Sequence, residues 1–146
     1  MDITRIAVVG AGTMGAGIVQ VMAQAGIVVT MIDRDETILN RSLGTIQRDL
    51  SRAVERGRLS PDDADIALSV IQVDTDIRAV DDADLVIEAV PEVLDLKLNV
   101  FRSMDEFAPA GAILASNTSS ISITRLGAET KRPAQVVGMH FFNPVP

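Results

Sequence analysis

Three glycines and one aspartate near the start of the chain have types and spacing that suit phosphate and ribose recognition. Gly10, Gly12 and Gly15 form a GxGxxG motif, and Asp33 follows it. Gly10 permits a tight turn, Gly12 lets the backbone approach a pyrophosphate, and Gly15 lets the next helix pack closely. The Asp33 carboxylate suits ribose hydroxyls and would repel a 2′-phosphate. The pattern predicts binding of NAD rather than NADP, although the adjacent Arg34 weakens that preference.

A second group of candidates lies near the end of the chain. His140 is the only histidine, and it comes directly after the predicted strand at residues 135–139. A neutral imidazole can take a hydroxyl proton while a hydride leaves the same carbon, and can return it in reverse. Ser119 and Asn143 could hold a substrate oxygen, although both residue types also favour turns and caps. The group predicts acid–base chemistry, with a purely structural histidine as the alternative.

A basic helix face is the third candidate. Residues 34–58 carry six arginines and four acids, a net charge of +2, in a chain whose net charge is −7. Four of these arginines share one face of a predicted helix: Arg41, Arg48, Arg52 and Arg56. Such a face suits a polyanion, for example a phosphorylated part of a substrate. The alternative is a solvated face on which Arg52 or Arg56 pairs with Asp49 or Glu55.

The elements that must position these residues alternate between strands and helices. β-branched runs at Ile6–Val9 and Ile27–Ile32 predict strands on either side of the glycine motif and its helix. Four further strands are predicted, near residues 70–73, 85–90, 111–115 and 135–139. Six strands separated by helices predict a Rossmann-type, doubly wound, mainly parallel α/β sheet formed by one domain, residues 1–146. Ligands bind at the carboxyl ends of such strands, where the candidate residues lie.

The helices contain one departure from the minimal pattern. Residues 35–55 and 60–69 predict two helices that form a hairpin after the second strand. A later helix is predicted from Pro91 to Phe107, with Pro91 in its first turn and Val93 on its inward face.

Composition excludes several classes of protein. The chain has no cysteine, which excludes disulfides and thiolate metal sites, and we predict no metal site. A net charge of −7 argues against a nucleic-acid partner. The uncharged run before Asp33 is long enough to span a membrane, but its glycines and strand signals argue against a membrane helix. Because the first strand begins so near Met1, we expect no targeting segment and a cytoplasmic protein.

Four sequence runs together resemble a known family: GAGTMGAGI at 10–18, VIEAVPE at 86–92, SNTSS at 116–120 and GMHFFNPVP at 138–146. With Asp33 and Lys97, they are similar to the N-terminal domain of the 3-hydroxyacyl-CoA dehydrogenases, including bacterial 3-hydroxybutyryl-CoA dehydrogenases. The resemblance covers the whole chain. It implies NAD as cofactor and oxidation of L-3-hydroxyacyl-CoA to 3-oxoacyl-CoA, in fatty acid β-oxidation or butanoate metabolism.

The resemblance also implies a role for each matching residue. His140 would be the acid–base group, while Ser119 and Asn143 would contact the 3-oxygen of the substrate. The implied cofactor contacts are Gly10, Gly12, Thr13, Met14, Gly15, Asp33, Glu92, Lys97 and Asn117. The implied CoA contacts on the hairpin are Arg48, Arg52 and Arg56. Asp49 stands where some members have a serine that contacts CoA, which puts that contact in doubt.

Two features of the family are not found within residues 1–146. The family pairs its histidine with a glutamate further along the chain, and it continues into an all-helical domain that closes the substrate cleft and forms a homodimer. We therefore expect this chain to be the cofactor domain of a larger enzyme, weakly active or inactive alone. A non-catalytic NAD-binding module remains an alternative. So does a dehydrogenase of another small hydroxy acid, although such a substrate would not need the arginines.

Overall fold

A computed structural model describes residues 1–146 and contains one sheet of six parallel strands. The strands are β1 (Arg5–Val9), β2 (Val28–Ile32), β3 (Ile71–Asp74), β4 (Leu85–Glu88), β5 (Ile113–Ser116) and β6 (Val136–Gly138). Their order across the sheet is β3-β2-β1-β4-β5-β6. The chain thus winds outward from β1 in both directions, and the predicted Rossmann-type fold is confirmed.

Five helices connect the strands: α1 (Thr13–Gln24), α2 (Glu36–Glu55), α3 (Pro61–Ser69), α4 (Leu94–Phe107) and α5 (Ile123–Gly127). Helices α2 and α3 form the predicted hairpin. Asp35 caps α2, because its carboxylate accepts the Thr37 and Ile38 N–H groups. Ser60 caps α3 in the same way, and Pro61 occupies its first turn. No helix combines the length and the apolar character needed to cross a bilayer.

The two faces of the sheet bury separate cores. Ile6 and Val8 point to one face, where they pack with residues of α1, α2 and α3. Ala7 and Val9 point to the other face, where they pack with α4 and α5. Alternate residues of β1 are therefore buried on both sides, as a central parallel strand requires. The carboxyl ends of the strands are left free for a binding site.

Helix α4 begins later than the sequence predicts. Its first residue is Leu94, so Pro91 and Glu92 lie in the preceding turn. The Val93 N–H donates to the Pro91 carbonyl at 2.7 Å, and the Val93 side chain is 54% exposed rather than inward-facing. Glu92 accepts hydrogen bonds from Thr118 and Ser119 in the loop after β5, and these bonds keep the segment out of the helix. The buried face of α4 consists of Lys97, Leu98, Phe101 and Met104.

Candidate active site

Most of the predicted catalytic and cofactor residues lie together at the carboxyl edge of the sheet. One cavity, of about 310 Å³, brings together residues from the loops after β1, β4, β5 and β6: Met14, Glu92, Lys97, Asn117, Ser119, His140 and Asn143. A second cavity, of about 380 Å³, lies between α1 and α2 and includes Gly12, Thr13, Arg41 and Asp49. Asn143 lines both cavities. Arg48, Arg52 and Arg56 line neither of these cavities.

The three glycines of the GxGxxG loop have different steric surroundings. Gly10 has a φ of +103°, and a Cβ there would lie 2.6 Å from the Ala89 carbonyl oxygen. A Cβ on Gly15 would lie 1.8 Å from the Gly10 carbonyl oxygen. Gly10 follows β1 directly and its N–H donates to the Ile32 carbonyl of β2, so Gly15 lets α1 approach the end of the strands closely, as its motif position predicts. Around Gly12 no atom lies within 4 Å of an added Cβ, so this side of the loop is open.

The open side of the loop suits a pyrophosphate. Helix α1 begins there, Gly12 provides no capping side chain, and no acidic residue lies in the first turn. Unpaired N–H groups and the positive end of the helix dipole thus face the open space without a competing negative charge.

Asp33 connects the end of β2 to the glycine loop. One carboxylate oxygen accepts the Ala11 N–H at 3.0 Å, and the other accepts the Asp35 N–H at 3.0 Å. These bonds fix the plane of the carboxylate and leave a further lone pair on each oxygen. The predicted ribose contact is compatible with this geometry. In addition, Asp33 orients the loop, which the sequence motif alone does not indicate.

A buried ion pair underlies the β4 side of the site. Lys97 Nζ lies 2.6 Å from Glu88 Oε1, and the two side chains are 3% and 0% exposed. Lys97 also donates to the Val90 carbonyl at 3.1 Å, while the other Glu88 oxygen accepts the Ser116 hydroxyl at 2.6 Å. This network joins the ends of β4 and β5. The sequence analysis did not predict this pair, although a charge inside a buried strand requires a partner.

Glu92 extends this network to the loop after β5. Its carboxylate accepts the Thr118 hydroxyl at 2.6 Å and the Ser119 N–H and hydroxyl at 3.2 and 3.3 Å. Lys97 Nζ lies 3.6 Å away. Burial opposes ionisation of Glu92, but the hydrogen bonds from Thr118 and Ser119 and the charge of Lys97 outweigh it. The pKa of Glu92 is therefore held below its ordinary value.

The lowered pKa of Glu92 predicts a pH-dependent stability. A carboxylate whose folded-state pKa is depressed stabilises the fold above its unfolded-state pKa, and this contribution is lost as the pH falls through the folded value. Glu92→Gln removes the titration. Thermal unfolding should show a larger Tm loss for the variant at about pH 6 than at about pH 3.5. An equal loss at both pH values would contradict this account of Glu92.

The loop after β6 holds His140 at the mouth of the first cavity. The imidazole is exposed and lies beside the Phe142 ring, with centroids 4.9 Å apart. Asn117 Oδ1 accepts the Phe141 N–H at 2.7 Å, and the Met139 N–H donates to the Ser116 carbonyl at 2.8 Å. The end of β5 thus positions the backbone around His140. The cofactor contact expected of Asn117 stays a prediction; its amide nitrogen and a second lone pair on Oδ1 are not used by these bonds.

The basic face of α2 is exposed. Arg52 lies 3.7 Å from Asp49, and Arg48 donates to the Thr45 hydroxyl at 3.1 Å. The Arg52 side chain is 65% exposed, so this ion pair contributes little to stability. The pairing expected of an ordinary solvated face is therefore present in part. It does not exclude a ligand on the remaining arginines.

Comparison with known proteins identifies the family. The sequence model of the family described as "3-hydroxyacyl-CoA dehydrogenase, NAD binding domain" matches residues 5–146. The chain belongs to this family. It is 43% identical over 145 residues to a 3-hydroxybutyryl-CoA dehydrogenase of Mycobacterium tuberculosis, covering 99% of the chain and 51% of the relative. It is 40% identical to the mouse mitochondrial hydroxyacyl-coenzyme A dehydrogenase, covering 99% of the chain and 48% of that protein.

A solved structure of the family has the same fold. The crystal structure of a 3-hydroxybutyryl-CoA dehydrogenase from Escherichia coli K12 superposes with a TM-score of 0.97 at 42% identity. The match covers 100% of this chain and 31% of the E. coli chain. Membership of an NAD-binding family identifies NAD as the cofactor, in agreement with the open glycine loop and Asp33. The chain spans about half the length of the curated 3-hydroxyacyl-CoA dehydrogenases that it matches.

Proposed function

We propose that residues 1–146 bind NAD beside a proton-transferring histidine, as part of an enzyme that oxidises L-3-hydroxyacyl-CoA to 3-oxoacyl-CoA. The observation that carries this proposal is the cavity shared by His140 and Met14, because Met14 lies in the first turn of the glycine-loop helix. A dinucleotide bound at that loop would extend toward the imidazole. Asp33 would bind the adenosine ribose, and Glu92, Lys97 and Asn117 would line the nicotinamide half.

The side chains of the first cavity would have separate roles in the reaction. Bound NAD supplies the hydride acceptor. His140, as a neutral imidazole, takes the proton of the substrate hydroxyl during oxidation and returns it during reduction. The Ser119 hydroxyl, which donates to Glu92 in this structure, would turn to donate a hydrogen bond to the substrate oxygen, because the single proton of the substrate hydroxyl is taken by His140. Asn143 would hold the same oxygen from the opposite loop.

We propose that the exposed face of α2 binds the phosphates of CoA. In a fusion of this chain to the remaining half of a relative, replacing Arg52 and Arg56 together with alanine should raise the KM for acetoacetyl-CoA about tenfold. The KM for NADH should not change, because neither arginine lines the two cavities at the glycine loop and His140. Arg78→Ala is the matched control, since Arg78 is an exposed arginine paired with Asp76 elsewhere. Asp49→Asn should lower the KM for acetoacetyl-CoA, since it frees Arg52. Equal effects of Arg78→Ala and the double variant would refute the CoA site.

Turnover tests the proposed reaction. We expect the isolated chain to bind NADH but to oxidise it slowly or not at all. Fusing residues 1–146 to the remaining half of the M. tuberculosis relative should give acetoacetyl-CoA-dependent NADH oxidation. A fusion active with free acetoacetate or another small oxo acid, and not with the thioester, would instead support a small-hydroxy-acid dehydrogenase. A fusion that binds NADH but reduces neither substrate would favour a non-catalytic module.

We propose that the complete protein is a homodimer through a helical domain beyond residue 146, and size-exclusion chromatography with light scattering would test this. We also propose a cytoplasmic location, although the family includes a mitochondrial enzyme.

A further inference from the structure

Helix α2 reaches the glycine loop through a single buried hydroxyl. The residues buried by α2 are Leu39, Ile46, Leu50 and Ser42, and only Ser42 is polar. Ser42 is 7% exposed, and its hydroxyl donates a hydrogen bond to the Ala11 carbonyl oxygen in the glycine loop. Burying a hydroxyl on a packing face costs free energy unless the hydroxyl is hydrogen-bonded. The bond to the Ala11 carbonyl therefore accounts for a serine at this buried position.

The bond fixes the orientation of one peptide group. In a trans peptide the C=O and the following N–H point in opposite directions. Because Ser42 holds the Ala11 carbonyl toward α2, the Gly12 N–H is directed away from α2. That N–H has no backbone acceptor within the protein, and the space around Gly12 is open. The preceding peptide is fixed separately, since Asp33 accepts the Ala11 N–H.

We propose that Ser42 is a positioning residue for the cofactor pyrophosphate, acting through the Ala11–Gly12 peptide. The inference rests on NAD binding by this domain. With the hydroxyl present, the loop presents a donor, the Gly12 N–H, to the phosphate oxygens. Without it, the peptide can rotate and present the Ala11 carbonyl oxygen, which repels a phosphate. Helix α2 thereby controls cofactor affinity without touching the cofactor.

The test compares two serine-to-alanine variants of the same helix. Ser42→Ala should weaken NADH binding about five- to tenfold, the factor expected for one buried hydrogen bond, when measured by fluorescence titration of the 146-residue chain. Ser51→Ala, at an exposed position of α2, should change it less than about twofold. Ser42→Cys keeps the side-chain volume but is a weak donor, so it should also weaken binding.

A second pair of ligands separates positioning from a general disturbance of the fold. ADP-ribose contains the pyrophosphate and should lose the same factor in Ser42→Ala. Adenosine lacks the pyrophosphate and should bind the variant and the parent chain equally. Unchanged NADH affinity in Ser42→Ala would overturn the inference, and so would equal losses for adenosine and ADP-ribose. A parent chain that binds no NADH would overturn both the cofactor assignment and this inference.

Discussion

Gly12→Ala should abolish NADH binding while leaving the domain folded. Gly12 has a φ of −70° and a ψ of −168°, which alanine adopts readily, and its added Cβ meets no protein atom within 4 Å. The methyl group would therefore cost the fold nothing and could slightly stabilise it, by up to about 1 kcal/mol, through the unfolded state. It would, however, occupy the space that a pyrophosphate needs. We expect NADH affinity to fall at least about 100-fold in a calorimetric titration, with an unchanged or higher Tm.

Gly15→Ala is the matched control, because it introduces the same methyl group on the same motif. Its Cβ would lie 1.8 Å from the Gly10 carbonyl oxygen, so the backbone itself must move. We expect a loss of roughly 1–3 kcal/mol in the free energy of unfolding, typical of overpacking. If Gly12→Ala bound NADH as the parent does, the phosphate would not sit on this side of the loop, and the site would have to be placed elsewhere.

His140→Ala should remove catalysis and keep cofactor binding. In the active fusion we expect kcat for acetoacetyl-CoA reduction to fall about 10²- to 10⁴-fold, the usual contribution of a general acid–base group. The imidazole is exposed, and its ring contact is with the exposed Phe142, so the fold should not change. NADH affinity should stay within about twofold of the parent value.

Phe142→Ala is the control for His140, since it removes the neighbouring ring but no proton-transferring group. It should lower kcat much less than His140→Ala does. Equal loss of NADH binding and turnover in His140→Ala would show that the residue supports the site structurally. That outcome would contradict the acid–base assignment.

The fold could be predicted because its signals are local. Short β-branched runs, the glycine turn and the helical periodicity after Asp33 all act within a few residues of where they stand. The structure agrees with these signals in strands β1 and β2, in helix α1 between them and in the hairpin of α2 and α3. The position of candidate residues at strand ends follows from parallel topology alone.

Long-range contacts account for what the sequence did not indicate. The predicted start of α4 was wrong because Glu92 accepts hydrogen bonds from Thr118 and Ser119 instead of entering the helix. The pairing of β4 with β5 brings these residues together. Ser42 resembles any small residue on a helix face until α2 is packed against the glycine loop. Lys97 has the pattern of a surface residue, and its burial depends on Glu88. In all three cases the structure depends on a hydrogen-bond or ion-pair partner that is distant in the sequence.

The central claim, that this domain binds NAD through its glycine loop and Asp33, is tested most directly by titrating the 146-residue chain with NADH and with NADPH. The account predicts saturable binding of one NADH per chain and at least about tenfold weaker binding of NADPH, because Asp33 would face the 2′-phosphate. The absence of NADH binding, or equal affinity for the two dinucleotides, would contradict it.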